Sequence, residues 1–168
     1  MAEEKNYPLL LEAFRAMRAA EPRLRCVLVG DGPLRARLER EFSWAAFAGF
    51  MDRAQLARHY ASADIYVHPS LTETFGNVLT EAMASGLAVA AFDYAAARQF
   101  IQSGVNGFAV PRDRPAELVA AAVRLATQPE VRARLGSAAA RIGEQLSWES
   151  VVARFEEELE QCRQSSSS

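Results

Sequence analysis

The feature that most constrains this chain is the regular alternation of short β-rich runs with longer helical patterns. Strand candidates fall at Arg25 to Val29, Ala46 to Gly49, Asp64 to His68, Ala88 to Phe92 and Phe108 to Val110. Helical periodicity covers 6 to 20, 33 to 42, 52 to 62, 76 to 85 and 96 to 103 around them, and then 115 to 127, 130 to 143 and 148 to 163. A strand, a helix and a second strand close by a right-handed crossover, which makes neighbouring strands parallel and covers both faces of the sheet. The expected class is therefore α/β, a doubly wound parallel sheet with extra C-terminal helices. Ligands of such sheets collect beyond the carboxyl ends of the strands. Three turns open on that edge: VGDGP at 29–33, GFMD at 49–52 and HPSLTETFG at 68–76.

The last of these turns runs into ETFGNVLTEAMASG, residues 73–86, which places Glu73 before a helix and Glu81 inside it. Val78, Leu79, Ala82 and Met83 fall at helical spacing and Gly86 is placed to stop the helix, so Gly76 and Asn77 mark its first turn. Unpaired backbone N–H groups at a helix start favour an anion such as phosphate. A carboxylate about five residues further on lies about 7 Å along the axis at 1.5 Å per residue. That is the reach from a diphosphate to a ribose.

E-x7-E followed by AMASGLAV resembles the donor-binding signature of retaining GT-B glycosyltransferases, family four, the glycosyl transferases group 1 that use nucleotide-diphosphate sugars. EKNYPLLLEAF, CVLVGDGP, FAGF and ADIYVHPSLTETFG precede it in the order of that family's C-terminal domain, and NGFAVP and SWESVVARF match its distal end. The resemblance runs from about Glu4 to Leu159. It implies a Rossmann-like C-terminal half of a GT-B fold that binds the donor, with residues 1–163 as the domain and 164–168 as a disordered serine tail.

Residue by residue, the resemblance makes Lys5 the cation that neutralises charge growing on the diphosphate leaving group, an electrostatic role. Glu81 would receive the ribose hydroxyls, and Glu73 would lie beside the donor sugar. Lys5 and Glu73 are thus the candidate catalytic residues. Phe75, Gly76, Asn77 and Val78 would present backbone amides to sugar or phosphate. Gly30, in the GDGP loop, would approach the base, which Phe50 and Met51 would bracket. No metal or other cofactor is implied, because Lys5 and helix-terminus amides can hold the diphosphate, and the donor itself is the small-molecule partner. Retention would proceed by front-face attack, with donor phosphate oxygens assisting proton removal. DYAAARQF departs from the paired glycines and Pro-Glu frequent in the family; its alanines resemble some mannosyltransferase-like members, which gives a lean towards GDP-mannose over a UDP-hexose.

The family's C-terminal domain opens with an apolar strand ending in Gly-Arg, and this chain starts just after that point. In the doubly wound order 3-2-1-4-5-6 the first strand is central, so its absence should leave the Arg25–Val29 and Asp64–His68 strands unpaired along one side or joined in another register. The acceptor-binding N-terminal domain is also missing. The chain reads as a fragment, a truncated frame, an excised domain or half of a split enzyme. It is expected to have no turnover alone, and any peripheral membrane association would come through the missing domain.

Composition fits a globular protein: 50% of the 168 residues are hydrophobic and 24% charged, enough apolar surface for a core. A net charge of −2 argues against nucleic acid as a partner. Lys5 is the one lysine beside 18 arginines. No apolar run approaches the roughly 18 residues of a membrane span, and no signal peptide is visible. Cys26 and Cys162 read as two reduced thiols of a cytoplasmic protein. His59 and His68 lack metal-ligand spacing and read as structural or surface residues. Three other readings are a nucleotide-sugar binding module without activity, a GT-B nucleotide-sugar epimerase and a non-enzymatic interaction domain.

Overall fold

The computed structural model describes residues 5–72 and 77–146, together with Val152, Glu156 and Arg163. The helical pattern at 148–163 otherwise lies outside the described residues, as do the tail and Cys162. The chain runs α1 (Tyr7–Ala20), β1 (Val27–Val29), α2 (Arg35–Glu41), β2 (Ala46–Gly49), α3 (Arg53–Ser62), β3 (Ile65–His68), α4 (Asn77–Ala84) and β4 (Ala88–Phe92). It continues through α5 (Ala96–Phe100), β5 (Phe108–Val110), α6 (Pro115–Thr127), α7 (Pro129–Ala140) and α8 (Ile142–Gln145). The α/β class and the alternation are as expected.

Local chemistry accounts for the boundaries. Prolines occupy the first turns of α1, α6 and α7, where a missing N–H removes nothing the helix uses. Asp52 and Gln55 form a reciprocal capping box at α3, with Gln55 N–H donating to Asp52 at 2.7 Å and Asp52 N–H donating to Gln55 at 3.1 Å. Gly86 ends α4 in the left-handed region at φ 82°, as its position predicts. A Cβ added at Gly136 would lie 2.3 Å from the Gly86 carbonyl oxygen, so α7 presses on that turn at backbone distance. Two helices, α5 and α7, end three residues before the periodicity predicts. α5 stops at Phe100 because the Asn106 side chain takes the Gln102 N–H at 2.8 Å and donates to the Phe100 carbonyl at 2.9 Å, which draws the chain into a turn. α7 ends at Ala140, and α8 begins a separate turn in which Gly143 packs against Ala84.

The strands form two parallel sheets, β1-β2 and β3-β4-β5. Val27 pairs with Ala46, Ile65 with Ala88 and Ala90 with Phe108. β1 and β3 each have a strand on one side, which is the separation expected of a doubly wound order lacking its central strand. Val27 and Val29 of β1 remain 45% and 38% exposed. α1 links the sheets from one face, with Leu11 packed beside Leu28 and Phe42 and with Ala13 and Met17 packed beside Ala122, Ile65 and Val67.

β4 is buried along its whole length. Ala88, Ala90 and Phe92 belong to a cluster with Leu9 of α1, Leu118 and Leu125 of α6 and Leu135 of α7. Val89 and Ala91 belong to another with Leu79 and Met83 of α4, Ala96 and Ala97 of α5, and Ala139 and Ile142. The alternation of period two sorts one strand into two half-cores. Each fully buried leucine contributes about 1.5–3 kcal/mol. Cys26, at the foot of β1, is a buried free thiol whose pKa burial pushes up to about 11, so it is inert at neutral pH.

Ala95, after β4, has φ 47° and ψ −126°, a conformation that suits glycine. It lies in the DYAAARQF segment. Strain at such a position costs about 1–3 kcal/mol, against about 0.4–1 kcal/mol for the extra freedom glycine has when unfolded. Ala95→Gly is therefore expected to stabilise the protein by about 1 kcal/mol. A urea midpoint unchanged or lowered by that substitution would show that the turn carries no strain.

Candidate functional site

Topology fixes which residues share an edge. α6 follows the carboxyl end of β5 and so starts on the carboxyl edge; α1 leads into the amino end of β1, so its own start lies on the carboxyl edge as well. Lys5 therefore stands, half-buried, at the carboxyl edge of the β1-β2 sheet, where the turns after β1 and β2 open. Asn6, in a left-handed conformation at φ 52°, turns the chain from Lys5 into α1.

The turns after β1 and β2 are laced together. Gly30 N–H donates to the Gly49 carbonyl at 2.7 Å, and a Cβ at Gly30 would meet nothing within 4 Å, so backbone is open to close approach there. Asp31 accepts from the Gly32 N–H at 2.7 Å and pairs with Arg35 at 3.3 Å. The guanidinium of Arg35 also holds Glu39 at 2.8 Å and lies close against Gly49. Beyond β2, Phe50 is 86% exposed and Met51 half-buried. Such an aromatic offers a face on which a planar base can stack.

Beyond β3, Ser70 is buried and its hydroxyl donates to the Thr72 carbonyl at 3.0 Å. Glu73, Phe75 and Gly76 lie outside the described residues. α4 starts at Asn77, with Asn77 and Glu81 exposed, Val78 half-buried, and Leu79, Ala82 and Met83 facing the core. Core packing on one side thus turns Glu81 outward, one helical turn in from the start. Thr80 donates back to the Asn77 carbonyl at 2.9 Å.

Sequence reasoning missed Tyr60. This α3 residue crosses to α4, its hydroxyl donating to the Val78 carbonyl at 3.3 Å. Burial pushes its pKa up to about 12, and the charge of Glu81 and its hydrogen bond to the hydroxyl act in the same direction. The phenol has one proton to share between a backbone carbonyl and a carboxylate. Tyr66 extends the aromatic group, edge-on to Tyr60 and stacked on His68, with its hydroxyl 3.2 Å from His68 Nδ1. His68 is buried in this stack, and His59 is an exposed ring 3.0 Å from the Gln55 carbonyl. Among the described residues no group of three or more His, Cys, Asp or Glu could hold a metal ion, and no helix is long and apolar enough to cross a membrane.

The fold is Rossmann-like and of the kind seen in GT-B glycosyltransferases. The family described as glycosyl transferases group 1 matches residues 1–128, and this chain belongs to it. It is 32% identical over 153 residues to the sulfoquinovosyl transferase SQD2 of Arabidopsis thaliana, covering 88% of this chain and 30% of that protein. It is 43% identical over 93 residues to a GDP-mannose-dependent alpha-mannosyltransferase of Mycobacterium tuberculosis, covering 55% and 25%. Among solved structures, a TarM variant from S. aureus in complex with fondaparinux, alpha-GlcNAc-glycerol and UDP superposes with a TM-score of 0.81 at 21% identity. That likeness of fold covers 92% of this chain and 33% of TarM. The chain spans from 25% to 38% of the length of such curated relatives.

The Tyr60 phenol gives a direct check on the α3–α4 contact. Its folded pKa is raised, so the associated stability is complete below pH 10 and is lost as pH rises through about 12. In a tyrosinate absorbance titration, one tyrosine is expected to ionise near pH 12; Tyr60→Phe should abolish that step, and Glu81→Gln should move it down. A step unmoved by Glu81→Gln would separate the two side chains.

Proposed function

We propose that this chain is the donor-binding half of a retaining glycosyltransferase that moves a hexosyl group from a nucleotide-diphosphate sugar to a glycan or lipid acceptor. The observation that carries this reading is the exposed Glu81 one turn into α4, beyond the carboxyl end of β3, with Gly30 and Phe50 beyond the carboxyl ends of β1 and β2 in the neighbouring sheet. In this reading each element takes one part of the donor. Phe50 and Met51, beside the open backbone at Gly30, take the base. Glu81 accepts from the ribose hydroxyls, a charge-assisted arrangement. The first-turn amides of α4 at Asn77 and Val78, with Lys5, take the diphosphate without requiring a metal. By family resemblance, Glu73 is assigned to the sugar and Phe75 and Gly76 to the amides that line the phosphate; all three lie outside the described residues.

Catalysis in this reading is electrostatic. Negative charge builds on the β-phosphate as the glycosidic bond breaks, and an ammonium at Lys5 lowers the energy of that charge more in the transition state than in the bound donor. A donor phosphate oxygen then receives the acceptor proton, and attack from the same face gives retention. GDP-mannose is the favoured donor, supported by the mycobacterial relative's name, with a UDP-hexose as the alternative.

The acceptor surface and the closure that excludes water belong to a partner domain in this reading, since the chain spans no more than 38% of such relatives. By itself, then, this chain is a nucleotide-sugar binding module.

Calorimetry with GDP and UDP tests the donor site. Glu81→Ala should weaken binding by about 1.5–3 kcal/mol, the usual worth of a hydrogen bond to a charged group. Equal affinity of the two proteins would remove Glu81 from the site. The purified 168-residue protein should transfer no sugar to glycan or lipid acceptors above a Lys5→Ala control; measurable transfer would contradict the half-enzyme reading.

A further inference from the structure

In chain order α3 joins the turn that carries Phe50 and Met51 to β3, and so joins one sheet to the other. It is a surface helix: none of its residues is buried, and Leu56 and Tyr60 alone are half-buried. Its start is fixed by the capping box at Asp52, directly after Met51. Tyr60 follows Asp52 by eight residues, about 12 Å along the axis. Helical side chains lean towards the N-terminus of their helix, so the phenol reaches back towards the carboxyl edge.

What it reaches is the first turn of α4, where its hydroxyl donates to the Val78 carbonyl at 3.3 Å. Carbonyls of a helix point towards its C-terminal end, and residues three apart are neighbours on one face. A group seated on Val78 therefore stands beside the stem of Glu81. Other rings hold the phenol there. Tyr66 meets it edge-on with 6.2 Å between centroids, and Tyr66 is itself stacked on the buried His68 at 5.6 Å. With its pKa pushed up to about 12, by burial first and then by the charge of Glu81, the phenol keeps its proton at neutral pH. An exposed glutamate loses rotamer freedom when it takes a ligand. A fixed ring on one side removes part of that freedom beforehand, which is preorganisation.

We propose that Tyr60 is a positioning residue for the ribose: anchored on the helix that leaves the base-bracketing turn, its phenol stands against α4 and holds Glu81 where the ribose of a nucleotide seated at Gly30 and Phe50 arrives. The inference rests on the donor-site reading given above. Guanosine and uridine nucleotides carry the same ribose, so the role of Tyr60 is the same for either base.

The test measures the affinities of GDP and UDP and of their 2′,3′-dideoxy forms. They are compared for wild type, Tyr60→Phe and, as a control for a hydroxyl lost from the same aromatic group, Tyr66→Phe. For Tyr60→Phe, GDP and UDP should bind about three- to tenfold more weakly and the dideoxy forms within about twofold of wild type, so that the preference for ribose falls. Tyr66→Phe should behave as wild type. In a Glu81→Ala background, Tyr60→Phe should change GDP affinity by less than about twofold, because the group it positions is gone. If Tyr60→Phe fails to fold, 3-fluorotyrosine placed at position 60 decides: its fluorine resonance should move with saturating GDP and stay in place with 2′,3′-dideoxy-GDP. An unchanged preference for ribose, a weakening shared by the dideoxy forms or by Tyr66→Phe, or a fluorine signal that answers both ligands alike overturns the role of Tyr60 while leaving the donor site intact. A folded wild type that binds neither GDP nor UDP, with Glu81→Ala indistinguishable from it, overturns the donor-site reading and this inference with it.

Discussion

Five consecutive residues, Ala88 to Phe92, have no exposed face, and the positions of the surrounding helices follow from that burial. A parallel strand covered on both sides cannot alternate apolar with polar residues. Here it mixes small with larger apolar side chains, and three of the five are alanine. Small side chains let α4 and α5 on one face and α6 on the other approach closely, with Leu79, Leu118 and Leu125 filling the space left over. α7 closes against the same layer, at backbone distance where Gly136 meets Gly86. The outward direction of Glu81 is a consequence: α4 is held by Leu79, Ala82 and Met83, which leaves the opposite side of its first turns to the solvent edge.

Most of the fold was legible in the residues. Strand positions could be read because each is a short apolar run bounded by glycine, proline or aspartate, and those are local signals. Helix starts at Asp52 and Pro115 were equally local. The end of α5 was not, because it is set by Asn106, which closes a turn from six residues away. The strain at Ala95 was hidden for a different reason, since nothing in an alanine announces a glycine's backbone.

The candidate site divides along the same line. Glu81, Asn77 and Gly30 were legible because helix starts and turns declare themselves and because ordered blocks resemble a family. Tyr60 was illegible, having the look of an ordinary apolar position on α3, whereas its hydroxyl reaches a helix 18 residues further on. What a sequence conceals here is side-chain reach between helices that are neighbours in space but separate in the chain.

The division of the strands into two sheets has a mechanical consequence. Backbone ladders are directional and resist shear, whereas the side chains of α1 that join the sheets interlock without a fixed angle. Between β1 and β3 the described residues form no such ladder, and side-chain packing carries the seam. The turns at Gly30 and Phe50 belong to one plate and Glu81 to the other, so a ligand spanning both would work as a strut. It would tie one sheet to the other where side-chain packing is their link.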